Sequence, residues 1–282
     1  MSYFPSQMLT RFAAAGKSIP MNPTWLIANW KMNGDAASVR VWAAAVNEAL
    51  GQSSNSMRAL AAVVSAALGQ GGRRVIGVFC PPAIYLAEAK RALPHNAQLK
   101  LGAQACHGEP SGAFTGEISA AMLKDAGCEY VIVGHSERRA AGESDAQVLA
   151  SSKAALAAGL TPVICVGESR AAYEAKLTKE VLSAQLSTLK ELPAERLLIA
   201  YEPIWAIGSD RTPEAVEIEA AHTHIKSVLG SGVNVLYGGS VKAENIGKIL
   251  GIAAVSGALI GGASLGVDSM RALIAGANKE GK

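Results

Sequence analysis

What the 282-residue sequence has little of narrows its function first. Its four cysteines, Cys80, Cys106, Cys128 and Cys165, lie far apart and never in CxxC spacing, which argues against a disulfide framework and a zinc site alike. A cytoplasmic, reducing compartment fits that usage. There are only five histidines, and the one close pair, His222 and His224, sits two apart in a helical stretch, where the side chains diverge. No metal site is expected from it. No apolar run approaches the roughly 18 uncharged residues of a membrane span, so no membrane partner is expected. Charge is scarce as well: 17% of residues are charged, the formal net charge is +3, and the lysines and arginines are scattered. Without a basic stripe, nucleic acid is not an expected partner. Residues 1–24 hold Arg11 and Lys17, no acidic residue and only the short apolar run Phe12 to Ala15, too short for a secretory core. They read as a tail or short helix outside the folded unit.

Against these scarcities stands a high apolar content, 50% of the chain, enough for a sizeable core. Short β-rich apolar runs recur, each followed by an Ala-rich helical stretch, and that alternation argues for parallel βαβ units. Eight such runs can be found: Trp25 to Asn29, Val75 to Phe79, Lys100 to Gln104, Tyr130 to Gly134, Thr161 to Val166, Leu197 to Glu202, Val233 to Tyr237, and Gly257 to Ile260. Eight parallel strands with intervening helices can close into a barrel of about 250 residues, burying both faces of every strand and leaving no sheet edge. The expected fold class is therefore α/β, a (β/α)8 TIM barrel in one domain over residues 25–282. An open doubly wound sheet is the alternative. Residues 51–72 lengthen the first crossover, and Met57 to Leu68 reads as an inserted apolar helix between Gly-rich turns.

In such a barrel the C-terminal strand ends converge on one rim, so polar residues just after each strand are the candidates for chemistry. The first run is followed by Asn29-Trp30-Lys31-Met32-Asn33 and the fourth by Gly134-His135-Ser136-Glu137-Arg138-Arg139. The sixth leads into Tyr201-Glu202-Pro203-Ile204-Trp205-Ala206-Ile207-Gly208, the seventh into Tyr237-Gly238-Gly239-Ser240-Val241, and the eighth into Gly261-Gly262-Ala263-Ser264-Leu265. Each alone is weak, since Gly-Gly-Ser turns and single histidines are common. In this order, and each at a strand end, they resemble the triosephosphate isomerase family from about Trp25 to the last helix.

That resemblance implies an intramolecular oxidoreductase of glycolysis and gluconeogenesis, an aldose-ketose isomerase acting on dihydroxyacetone phosphate and D-glyceraldehyde 3-phosphate, with no cofactor and no metal. Moving a proton between adjacent carbons through an enediolate demands a base beside the carbon and donors beside the oxygens. Glu202 matches the base; apolar Ile204, Trp205 and Ile207 around a carboxylate would strip its hydration and strengthen it. His135 matches the electrophile. The helix opening at Ser136 has N-terminal amides that disfavour an imidazolium, so His135 should act as neutral imidazole. Lys31 would stabilise enediolate charge and attract the phosphate dianion, Asn29 would hold a substrate oxygen and orient Lys31, and Glu137 would be the counter-charge. Gly208, Ser240, Gly261 and Gly262 match the family's anion-binding positions, where small residues let the main chain approach a phosphate.

Pro203, Ile204, Trp205, Ala206, Ile207, Gly208, Ser209, Asp210 and Arg211 match the family's mobile lid, whose closure expels water. Here the chain departs from the usual pattern: Ser209-Asp210-Arg211 stands where Thr-Gly-Lys is common, and Ala105 stands where an asparagine often follows Gln104. Asp210 should face solvent, because a carboxylate beside a phosphate dianion would repel it. Gly108 to Glu117 matches the loop by which one family subunit plugs into another, implying a homodimer with Thr115 near the loop tip. Two rival readings remain, another phosphate-handling barrel and a catalytically silent one. The first would not need His135 with Glu202, and the second would be expected to have lost Lys31, His135 or Glu202.

Overall fold

The computed structural model describes residues 23–51, 74–207 and 212–279. Eight strands, β1 (Pro23–Asn29), β2 (Arg74–Cys80), β3 (Leu99–Ala103), β4 (Tyr130–Val133), β5 (Thr161–Val166), β6 (Leu198–Tyr201), β7 (Asn234–Tyr237) and β8 (Gly257–Ile260), pair in chain order, and β1 also pairs with β8 to close a barrel. Every pairing is parallel. Each strand must then be followed by a crossover, and helices supply it. These are α1 (residues 36–51), α2 (Leu86–Ala92), α3 (Ala120–Asp125), α4 (Ser136–Ala140), α5 (Asp145–Ala157), α6 (Arg170–Glu174), α7 (Thr178–Ser187), α8 (Ala215–Leu229), α9 (Ile246–Gly251) and α10 (Val267–Lys279). Among the described residues no helix is long and apolar enough to cross a membrane.

The strand runs anticipated from the sequence agree with these bounds to within two residues. The largest shift is at β1, which starts at Pro23, paired with Arg74, rather than at Trp25. Proline lacks an N–H and is tolerated at a strand's first position. Most of the N-terminal extension, residues 1–22, and residues 52–72 of the crossover insertion lie outside the described residues.

Closing the sheet sorts its side chains by the two-residue period of a strand. Trp25 and Ile27, Val78 and Cys80, Ile132, Val163 and Cys165, Leu198 and Ala200, Leu236 and Leu259 form the core inside the barrel. Their neighbours in the chain, among them Leu26, Ala28, Phe79, Leu101, Val131, Ile164, Ile199, Val235 and Ile260, face out and pack with the helices in a larger second core. There Trp42 of α1 lies 4.3 Å from Phe79 and donates its indole N–H to the Ser264 carbonyl at 2.8 Å, tying the first crossover to the loop after β8. His222 and His224 diverge on α8 as expected: His222 is fully buried, and His224 bonds the Ser183 hydroxyl at 2.8 Å.

Candidate active site

Continuing the same two-residue period one step past the inner core brings Asn29, Gln104, Gly167, Glu202, Gly238 and Gly261 to the inside of the C-terminal rim. The inner core below is apolar, whereas these six positions are two amides, a carboxylate and three glycines. The glycines make room. A Cβ at Gly167 would sit 1.8 Å from the Glu202 carbonyl oxygen, and one at Gly238 would lie 2.8 Å from Glu202 Cγ. A chamber of about 270 Å³ opens above this rung, lined by Asn29, Lys31, His135, Glu202, Ile207, Gly238 to Lys242, Leu259 and Gly261 to Ala263. An adjoining space of about 320 Å³ shares Asn29, Lys31 and His135 and adds Gln104, Gly116, Glu117 and Glu137.

His135 and Glu202 meet inside the chamber. After β4 the chain turns at Gly134, whose φ of 68° favours glycine, and the turn delivers His135 to the N-cap of α4. There the Nδ1 of His135 accepts the Glu137 N–H at 3.2 Å, so a neutral ring carries its proton on Nε2. That nitrogen lies 3.1 Å from Glu202 Oε1, while Glu202 Oε2 accepts the Ser136 N–H at 3.0 Å. Both side chains are buried. Arg139 braces the turn by donating to the Gly134 carbonyl at 2.8 Å and to Asp145 at 2.6 Å.

Lys31 has a φ of 53°, a left-handed conformation that costs a side-chain-bearing residue on the order of 1 kcal/mol and concentrates at functional sites. The conformation is held from several directions. The Lys31 N–H donates to Asn29 Oδ1 at 3.1 Å, its carbonyl accepts from Gln104 Nε2 at 2.9 Å, and its ammonium meets Glu137 Oε1 at 2.6 Å. The same Gln104 amide also donates to the Cys80 carbonyl at 2.9 Å, fixing the rim between β1 and β3. Sequence reasoning passed over Gln104 as a site residue, although its place on the inward rung was available from the strand period.

Of the three apolar residues expected to shield Glu202, only Ile207 lines the chamber. Ile204 is 41% exposed, and Trp205 is buried with its indole N–H donating to Glu168 Oε1 at 2.7 Å. The physical reason is the single 3-10 turn Ile204–Ala206, which rotates the indole toward the segment after β5. Glu168, unmarked in the sequence reading, is fully buried and also accepts from the Tyr201 hydroxyl at 3.1 Å. Burial pushes its carboxyl above the usual range, against the pull of the Trp205 donor. Cys165 was likewise missed: it lies on the inner face of β5 directly beneath the base, where burial and then the Glu202 carboxylate push its thiol up.

Ser240, Gly261 and Gly262 line the chamber from the loops after β7 and β8. The lid positions Gly208, Ser209, Asp210 and Arg211 lie outside the described residues. The loop Gly108 to Glu117 is exposed, with Thr115 near its tip. At its base the His107 N–H donates to the Ile118 carbonyl at 2.8 Å, and the Phe114 ring packs on His107 at 4.2 Å.

Comparison with known proteins adds an independent line. The model of the family described as Triosephosphate isomerase matches residues 24–277. A curated protein named triosephosphate isomerase, from Afipia carboxidovorans, is 46% identical over 250 residues, spanning 85% of this chain and 92% of its own length. Another of that name, from Alkalilimnicola ehrlichii, is 40% identical over 269 residues, spanning 91% of this chain and 99% of its own. The crystal structure of triosephosphate isomerase from Bartonella henselae superposes with a TM-score of 0.74 at 35% identity, covering 92% of this chain and 100% of that one.

Proposed function

The chain belongs to the triosephosphate isomerase family and interconverts dihydroxyacetone phosphate and D-glyceraldehyde 3-phosphate in glycolysis, and from that premise we propose how its own residues carry the reaction. Glu202 is the base that moves the proton between the two carbons, and His135 is the electrophile beside their oxygens. The observation that carries this reading is the contact of His135 Nε2 with Glu202 Oε1 at 3.1 Å, in a chamber that buries both. With Nδ1 accepting the Glu137 N–H, the His135 ring carries its proton on Nε2 and gives it to the substrate carbonyl oxygen as the enediolate forms, then takes a proton from the neighbouring hydroxyl, whose oxygen becomes the new carbonyl, so that the ring ends as it began. Glu202 then delivers its proton to the neighbouring carbon.

Lys31 supplies the positive charge that the enediolate and the phosphate dianion need, and Asn29 and Glu137 orient it. The phosphate is held by the main chain of Gly208, Ser240, Gly261 and Gly262. Support for the last three comes from their place along the same chamber as the base, on loops after the seventh and eighth strands, where barrel phosphate sites commonly form. Residues 203–211 are the lid over this chamber.

The working form is a homodimer in which the loop Gly108 to Glu117, with Thr115 near its tip, enters the partner near its active site. Supporting this are Met32 at 95% exposure and Ile84 at 79%, two large apolar side chains that water would otherwise solvate, with Phe114 half exposed on the same rim. A cytoplasmic location accompanies the reading, supported by four cysteines that are free thiols. Glu202→Asp tests the assignment by withdrawing the carboxylate about one methylene, which should collapse kcat by on the order of 10²-fold while the fold persists. A Glu202→Asp enzyme with wild-type turnover would refute it.

A further inference from the structure

Behind the chamber, a group of side chains with no role in the proton transfer joins the two flanks of the loop that follows the base. Tyr173 of α6 stacks its ring on the Trp205 indole, with centroids 4.0 Å apart and planes at 28°. Its hydroxyl donates to Glu217 Oε1 at 2.6 Å. Trp205 lies in the 3-10 turn just after Glu202, whereas Glu217 sits in the first turn of α8. One half-buried aromatic side chain therefore links Trp205, before residues 208–211, to Glu217, in the helix that follows them.

Both anchor points are themselves fixed. The Trp205 indole N–H is bound to Glu168, and Glu217 Oε2 accepts the Glu214 N–H at 2.8 Å, closing the capping box that starts α8. The segment that leads into α6 is also stitched to the base: the Glu202 N–H donates to the Val166 carbonyl at 2.8 Å and the Ile204 N–H to the Glu168 carbonyl at 3.1 Å. A ring retained only to fill space would not need its hydroxyl aimed at a carboxylate already engaged in a helix cap.

We propose that Tyr173 is a positioning residue for the isomerisation, clamping Trp205 to the first turn of α8 so that the turn after Glu202 keeps the carboxylate and Ile207 facing the chamber. This rests on the reading of Glu202 as the base. The test compares full-length Tyr173→Ala, Tyr173→Phe, Glu217→Ala and the Tyr173→Phe/Glu217→Ala double variant, with Glu202→Asp as control. Tyr173→Ala should lower kcat roughly tenfold, the scale of a small misplacement near a reacting centre, with KM held within about twofold. Tyr173→Phe keeps the stack and should recover most of that loss, and its residual deficit should not add to that of Glu217→Ala, because both remove the same hydrogen bond. A tyrosine with a merely structural role would lower the melting temperature and leave the kcat of the folded enzyme unchanged. Wild-type kcat in Tyr173→Ala, with Glu202→Asp collapsed, would overturn the clamp alone. Wild-type kcat in Glu202→Asp would instead remove the base assignment beneath it.

Discussion

Gly238 lies directly after β7 on the inward rung, so the space it leaves belongs to the base. A Cβ added there would lie 2.8 Å from Glu202 Cγ, 3.2 Å from the Tyr201 carbonyl oxygen and 3.7 Å from Glu202 Cδ. Carbon atoms rest comfortably at roughly 3.5–4.0 Å, so Gly238→Ala must displace a neighbour by about 0.7 Å or more. The Tyr201 carbonyl is bound to the Gly238 N–H at 2.7 Å and cannot retreat without opening the barrel. The Glu202 side chain can rotate and therefore yields, drawing its carboxylate away from the Ser136 amide and His135. An error near 1 Å costs on the order of 10²-fold, so a shift of this size should lower kcat by about 10- to 100-fold. Overpacking of this kind costs about 1–3 kcal/mol, leaving the chain folded. Coupled assays in both directions, with urea unfolding alongside, read the two effects separately, and KM should change less than kcat, because the clash falls on Glu202 while Gly261 and Gly262 are untouched and Ser240 lies two residues further along the loop. Wild-type kcat in a cooperatively folded Gly238→Ala enzyme would refute the reasoning, as would a loss confined to KM.

Other consequences are as direct. Gln104→Met should leave the Lys31 carbonyl without its donor at a strained residue, costing about 1–3 kcal/mol; we expect a lower urea midpoint and roughly tenfold lower kcat/KM, and unchanged values for both would show that Lys31 holds its conformation unaided. If the proposed dimer forms through this loop, Thr115→Arg should dissociate it, since an unpaired cation buried in a closed interface costs several kcal/mol; sedimentation equilibrium checks this, and a wild-type enzyme already monomeric and fully active at micromolar concentration would end the dimer reading. Burial lowers the His222 imidazole from its ordinary 6.5 to about 3, so its contribution to stability is present above pH 6.5 and is lost as pH falls toward 3. Relative to His222→Leu, the wild type should therefore lose a few kcal/mol of unfolding free energy between pH 7 and pH 4, at about 1.4 kcal/mol per unit. Parallel urea-unfolding curves across that range would refute it.

The sequence by itself determined the barrel and most of the cast. Eight apolar runs separated by helical stretches leave few ways to bury both faces of every strand, and a period of two carried past each run already points Asn29 and Glu202 inward. His135, Lys31 and the glycines after the seventh and eighth strands were legible because each follows a strand end, a position that one-dimensional pattern marks well. Tertiary structure alone decided how these residues meet. Lys31 and Glu137 stand 106 residues apart in the chain yet touch at 2.6 Å, because barrel closure and strand register, not local periodicity, set which loops become neighbours. The same holds for Trp205, which the pattern assigned to shielding Glu202 and which a single 3-10 turn directs to Glu168. Glu168, Cys165 and Tyr173 carried no signal in the chain, since a carboxylate, a thiol and a phenol read as ordinary until the fold shows what each is buried against. Local sequence constrains the direction of a side chain within its own strand or turn, whereas its partner is chosen by contacts across the closed sheet, and only the folded barrel specifies those.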